Sequence, residues 1–176
     1  MRHAEHVGLL RDGVTTGGAW ADLGSGEGAF TLALADLIGE SGRIYSVDRD
    51  AAALRTQREA MAARFPKTRT EFMRADFTTP LDLPALDGIV MANSLHFYRD
   101  KGPVLQRLIA YLKERGRFVL VEYDADRGNA WVPYPISYPT WEVLSAHVSL
   151  TGTRLLARVP SRFLSAIYSA ISVRAA

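Results

Sequence analysis

Ala19-Trp20-Ala21-Asp22-Leu23-Gly24-Ser25-Gly26-Glu27-Gly28-Ala29-Phe30-Thr31 is the stretch on which the fold turns. It reads as the end of a buried strand, a tight glycine turn and the start of a helix. Glycines at alternate positions leave no Cβ to obstruct a ligand and tolerate φ > 0. The helix behind them, expected over 27–38, offers unpaired N–H groups and the positive end of its dipole. A carboxylate or phosphate would be held well there.

Two ligand classes compete for such a turn. Gly24, Gly26 and Ala29 formally satisfy G-x-G-x-x-G/A, the dinucleotide fingerprint. Asp22, two residues before the first glycine at the strand tip, argues against it. Beside a pyrophosphate, that carboxylate would cost on the order of 1–4 kcal/mol outside the dry interior. It favours a ligand bearing positive charge. S-adenosylmethionine has an ammonium and a sulfonium, plus one carboxylate for the helix end. The run D-x-G-x-G-x-G resembles the signature of class I S-adenosylmethionine-dependent methyltransferases.

The chain outward from this stretch fits that resemblance. Strands are expected over 19–23, 43–48, 70–76, 87–93 and 117–123, the fourth as a short apolar run consistent with a buried strand. Asp50 caps a helix that runs to about residue 64 and is stopped by Pro66. Val104, Leu105, Leu108, Ile109 and Leu112 stand at helical spacing and predict a helix over 101–115, with Gly116 as its C-cap. A short helix over 3–12 precedes the first strand. A helix over 141–148 and a hairpin of strands 153–159 and 163–173 close the chain. Alternating strands and helices predict an α/β fold with a mostly parallel sheet covered on both faces. The resemblance, over residues 15–174, implies a Rossmann-like sheet of seven strands with the last one reversed. Residues 1–176 are expected to form one domain.

Composition narrows the function classes. The 176 residues are 48% hydrophobic and 23% charged, ordinary for a globular protein. A net charge of +2 is too mild to argue for nucleic acid. The arginines Arg49, Arg55, Arg58 and Arg64 read as a solvated helix face. Without cysteine there is no disulfide frame, no thiolate nucleophile and no thiolate metal site. His3 and His6 alone make a poor metal site, and none is expected. The N-terminal residues do not read as a signal peptide, and no run approaches the ~18 apolar residues of a membrane span. A cytoplasmic protein is expected.

Ligands of doubly wound sheets bind outside the carboxyl ends of the strands. Asp22, Asp48, Asp76 and Asn93 all fall at such ends. Asp48 stands twenty residues after Gly28, where a carboxylate can accept from both ribose hydroxyls. The alternative, a helix N-cap, suits Asp50 better. The resemblance implies that Asp22, Gly24, Ser25, Gly26 and Gly28 hold the methionine part of the donor. Asp48 would hold the ribose, Asp76 and Phe77 the adenine, Asn93 would line the methionine end, and Arg49 is a further donor-binding candidate. Asp76 also reads as a loop carboxylate satisfying its own turn. Asn93-Ser94-Leu95-His96 departs from the Asn/Asp-Pro-Pro-Tyr/Phe of enzymes that methylate exocyclic or amide nitrogens.

His96 is the candidate general base, because its ordinary pKa near 6.5 suits proton removal at neutral pH. A histidine packed in the loop is the competing reading. The long segment 124–139, with Trp131, Tyr134 and Tyr138, and Trp141 beyond it, are candidates for the wall of an acceptor pocket. The expected function is methyl transfer from S-adenosylmethionine to a small molecule, by one chain or a homodimer. The alternatives are a nicotinamide-dependent oxidoreductase and a non-catalytic S-adenosylmethionine-binding protein.

Overall fold

The computed structural model describes residues 1–176. Strand β1 (Ala19–Leu23) lies inside a seven-stranded sheet whose other members are β2 (Arg43–Asp48), β3 (Arg69–Arg74), β4 (Leu86–Ala92), β5 (Leu112–Tyr123), β6 (Leu150–Pro160) and β7 (Ala166–Arg174). Their order is β3-β2-β1-β4-β5-β7-β6. The pairs from β3 to β5 are parallel, and β7 runs antiparallel to both β5 and β6. This is the expected seven-stranded sheet with its last strand reversed.

Alternation along the strands creates two cores, because successive side chains leave opposite faces. Trp20, Val90, Val119 and Val121 meet α1 (His3–Leu10), α2 (Ala29–Ile38) and Met61 of α3 (Ala51–Arg64). Ala21, Leu23, Ile89, Met91, Phe118 and Leu120 meet α4 (Gly102–Ile109) and α5 (Tyr138–His147). Gly88 pairs with Trp20 across β1 and β4. A Cβ at Gly88 would stand 2.2 Å from the indole, so the glycine makes room for the largest buried ring.

Several boundaries differ from the sequence expectation. The helix expected over 101–115 stops at Ile109, and Gly116 lies inside β5 rather than at a C-cap. Leu112 fits the helical spacing, but it pairs with Leu86 in the sheet and is buried there. Either arrangement would bury it, so periodicity alone does not choose. A register shift follows between Leu86 and Gly88, and Arg115 adopts φ 60°. Strand β3 ends two residues before Asp76, which opens a turn in which the Thr79 N–H donates to the Asp76 carbonyl at 3.0 Å. The hairpin strands are 150–160 and 166–174, so Phe163 stands in the turn.

The aromatic segment also resolves differently from expectation. Trp141 is core, stacked on Phe118 at 5.7 Å. Tyr138 packs edge-on against Tyr168. Trp131 is 77% exposed. Tyr134 lines a hollow of about 850 Å³ beside α5. None of these four rings lines the crevice described next.

Candidate functional site

The carboxyl ends of β1, β2 and β4 border a crevice of about 560 Å³. Its lining includes Gly24, Gly26, Asp48, Arg49, Asp76, Phe77 and Asn93. The structure therefore brings seven of the ten expected donor-binding residues to one cavity. Asp22, Ser25 and Gly28 stand behind its wall.

The glycine loop is fastened from below. The Gly24 and Ser25 N–H groups donate to the Val47 carbonyl at 2.9 and 3.1 Å. The Ser46 hydroxyl donates to Ser25 Oγ at 2.8 Å and also reaches Gln57 Oε1. Gln57 Nε2 donates to the Gly26 carbonyl at 3.1 Å. Gln57, fully buried on α3, is a loop-holding residue that the sequence reading missed. Nothing local marks it, because its partners lie on β2 and in the glycine turn.

The glycines serve different purposes. All three have positive φ: 77° at Gly24, 52° at Gly26 and 87° at Gly28. A Cβ at Gly24 would press on Ser94 at 2.5 Å, and one at Gly28 on Gln57 at 2.2 Å. A Cβ at Gly26 would meet nothing within 4 Å. Gly24 and Gly28 are glycine for packing, whereas Gly26 leaves open the face that borders the crevice.

Asp48 accepts from the Gly26 N–H at 2.7 Å with Oδ2 and from the Asp50 N–H at 2.8 Å with Oδ1. Each oxygen keeps lone-pair capacity for a hydroxyl. Asp50 caps α3 through the Ala52 and Ala53 N–H groups, as expected. Asp76 fastens its own turn and also lines the crevice. Its Oδ1 accepts from the Thr78 N–H and hydroxyl at 2.9 and 2.7 Å, which holds its carboxyl below the ordinary range. Its Oδ2 has no partner and belongs to the crevice wall. The neighbouring Phe77 N–H has no acceptor in the chain. The Phe77 ring is buried edge-on against Tyr98, a crevice residue at the end of the 3₁₀ turn Leu95–Phe97.

Asn93 is left-handed at φ 52°, and its Oδ1 is buried without a partner. Ser94 seats the turn by donating to the Leu23 carbonyl at 2.8 Å. Asn93 also lines a second cavity of about 600 Å³ on the side of β5 and the β6–β7 turn.

Asp22 is buried on the α2 face and accepts from the Thr31 hydroxyl at 2.6 Å. Burial, aided by the charge of Asp48, raises its carboxyl from 3.8 to about 7 against the pull of Thr31. The folded chain thus holds a proton that the unfolded chain releases between pH 3.8 and about 7. Stability contributed by that proton is complete below the lower value and lost as pH climbs through the upper one. In denaturant titrations, wild type minus Asp22→Asn is expected to fall by up to about 1.4 kcal/mol per pH unit across that window. A flat difference would show that Asp22 is ionised throughout.

His96 is buried, with Nδ1 2.9 Å from Glu122 Oε2. Glu122 Oε1 also accepts from the Leu95 and His96 N–H groups, both at 3.1 Å. The imidazole lies under Phe97 and against Tyr123, and lines neither cavity.

Comparison with known proteins agrees with this geometry. Residues 16–151 match a family model described as a methyltransferase domain. The chain is 29% identical over 115 residues to the 2-phytyl-1,4-naphtoquinone methyltransferase of Trichormus variabilis, covering 63% of this chain and 49% of the relative. It is 29% identical over 113 residues to the ubiquinone/menaquinone biosynthesis C-methyltransferase UbiE of Azotobacter vinelandii, covering 64% and 45%. The chain thus spans about half the length of these curated relatives. Among solved structures, the YcgJ protein of Bacillus subtilis superposes with a TM-score of 0.78 at 13% identity, covering 99% of this chain and 100% of that one. The 1,6-didemethyltoxoflavin-N1-methyltransferase of Burkholderia thailandensis, solved with 1,6-didemethyltoxoflavin and S-adenosylhomocysteine, superposes with a TM-score of 0.77 at 16% identity, covering 99% and 78%. No helix is long and apolar enough to cross a membrane.

Proposed function

This chain belongs to the methyltransferase-domain family, and on that premise we propose that it moves a methyl group from S-adenosylmethionine to a small molecule. The nicotinamide alternative is set aside by that membership. One observation supports the reading: the crevice carries open groups that suit the donor's ribose, adenine and ammonium. Asp48 offers two carboxylate oxygens to a ribose. The unpartnered Asp76 Oδ2 and Phe77 N–H offer an acceptor and a donor to an adenine edge. The bare face of Gly26 admits the ligand close to the backbone. Arg49 borders the ribose side, and the orphan Asn93 Oδ1 can accept from the donor's ammonium. Asp22, Ser25 and Gly28 act from behind, as charge and scaffold.

The bound donor supplies an electrophilic methyl carbon on a sulfonium. The acceptor's electron pair forms the new bond while the carbon–sulfur pair stays on sulfur. Alignment of this kind supplies about 7–11 kcal/mol in favourable cases. His96 is the proposed base for acceptors that must lose a proton. With Nδ1 facing the Glu122 carboxylate, Nε2 is the ring nitrogen proposed to receive the acceptor's proton. Because Phe97 and Tyr123 screen the ring, those side chains must move first. His96→Gln is expected to lower kcat by about 10²–10⁴ and leave S-adenosylhomocysteine affinity within twofold. Unchanged kcat would make His96 a structural residue only.

The proposed setting is the cytoplasm, with a small-molecule partner rather than nucleic acid. Arg49, Arg55, Arg58 and Arg64 are all exposed, with Arg58 and Arg64 over the Phe72 and Phe65 rings at 5.0 and 5.5 Å, as a solvated face would have them. A homodimer remains part of the proposal. Calorimetry with S-adenosylhomocysteine tests the donor site. Release of S-adenosylhomocysteine from a panel of acceptors separates an enzyme from a silent binder.

Donor binding should also be linked to protons. The raised carboxyl of Asp22 gives up its proton when a cationic ligand arrives nearby. Titrations with S-adenosylmethionine at pH 7 in two buffers of different ionisation enthalpy are expected to show net proton release. Affinity is expected to rise from pH 5 to about 7, the value to which the Asp22 carboxyl is raised, and then level off. Release of no proton, in wild type as in Asp22→Asn, would remove Asp22 from the electrostatics of the site.

A further inference from the structure

We propose that the second cavity at Asn93 is the acceptor site, and that it takes a planar aromatic acid. This rests on the methyl-transfer reading above and adds the acceptor's class to it. Three observations lead there.

The first is position. Asn93 belongs to the walls of both the donor crevice and the 600 Å³ cavity. The two spaces share that residue just beyond the end of β4, where it is held in a left-handed turn with its Oδ1 buried and unpartnered. A molecule in the second cavity faces the donor across that one residue. The larger hollow beside α5 shares no lining residue with the crevice.

The second is shape and surface. The volume lies within the roughly 300–1,000 Å³ of small-molecule sites. Tyr123, at the end of β5, and Phe163, in the β6–β7 turn, supply ring faces, and Ile167 supplies an aliphatic wall. Phe163 is 64% exposed and so has no packing duty in the fold. Aromatic rings prefer offset or edge contacts with other rings, worth about 0.5–1.5 kcal/mol beyond their burial. A flat ring system uses such walls best.

The third is charge. Arg2 and Arg162 line the cavity, and neither guanidinium is in an ion pair. The single acid of the lining, Glu5, is engaged with the Arg2 N–H at the start of α1. The lining is therefore net positive, and its fork-shaped donors match a carboxylate. The acceptor's carboxylate sits on the arginines, its ring lies against Tyr123 and Phe163, and its nucleophilic atom points to Asn93. The nucleophile forms its bond to the methyl carbon as the carbon–sulfur bond breaks. A phenolic proton goes to water.

The probes are 3-hydroxy-2-naphthoate and 2-naphthol, which share a ring system and differ in the carboxylate. Calorimetry is run on the full chain saturated with S-adenosylhomocysteine. The naphthoate is expected to bind at least tenfold more tightly than the naphthol. Arg162→Glu is expected to abolish that preference, with naphthol affinity and S-adenosylhomocysteine affinity unchanged within twofold. Arg2→Ala should reduce the preference about threefold, and Phe163→Ala should weaken both probes alike. Equal binding of the two probes, a preference that survives Arg162→Glu, or no binding of either would overturn the proposal. Failure of S-adenosylhomocysteine itself to bind would instead overturn the donor site, so the two failures are distinguishable.

Discussion

Asp48→Ala is expected to lower S-adenosylhomocysteine affinity about 100-fold, the largest loss from any single polar change in the crevice. Hydrogen bonds to a charged group contribute about 1.5–3 kcal/mol each, and two ribose hydroxyls are at stake. Partial exposure of the carboxylate brings the sum down to about 2.7 kcal/mol, which is 100-fold in dissociation constant. The alanine also releases the Gly26 N–H from Oδ2, so part of the loss comes from a looser glycine turn. Asp48→Asn keeps one acceptor oxygen and most of the shape. It is expected to lose about tenfold, separating charge from geometry. Titration calorimetry of both variants reads this directly, and an Asp48→Ala protein that binds like wild type would sink the ribose assignment.

Alanine at Gly28 and alanine at Gly26 are expected to fail in opposite ways. At Gly28 the backbone has φ 87°, and the new Cβ would meet Gln57 Cγ at 2.2 Å. Gln57 has nowhere to withdraw, since it is fully buried and bonded to Ser46 and the Gly26 carbonyl. Left-handed strain of about 1–2 kcal/mol and overpacking of about 1–3 kcal/mol combine to about 3 kcal/mol. At Gly26 the strain is similar, but the new methyl group meets nothing within 4 Å. That variant should lose only about 1 kcal/mol of stability and yet at least tenfold in donor affinity, because its methyl group enters the space the ligand needs. Denaturant melts paired with calorimetry distinguish the two patterns. A Gly26→Ala protein with full affinity would place the donor away from the turn.

The contrast between those glycines marks the limit of a motif. D-x-G-x-G-x-G names three glycines alike, whereas in the folded chain two pack against Ser94 and Gln57 and only Gly26 has an open space where its Cβ would be. The same limit appears at Asp76, which reads equally well as a turn carboxylate or a ligand group. It holds its own turn through one oxygen and leaves the other without a hydrogen-bond partner in a residue that lines the crevice. His96 reads as a rim base, but Glu122 on β5 draws it inward under Phe97 and Tyr123. At Leu112, spacing that suits a helix suits the sheet as well, and pairing with Leu86 takes the residue.

The sequence by itself determined the α/β class, the site of the glycine turn and the acids at the strand tips. Each of those features is written within about a dozen neighbouring residues. Strand alternation, a turn glycine and a cap act over that range, before distant parts of the chain meet. Only the tertiary structure decided which residues line the crevice, that Gln57 braces the turn, and that Arg2, Asn93 and Arg162 share one cavity. Those relations depend on sheet order and register, which bring together side chains far apart along the chain. No local period encodes such a meeting.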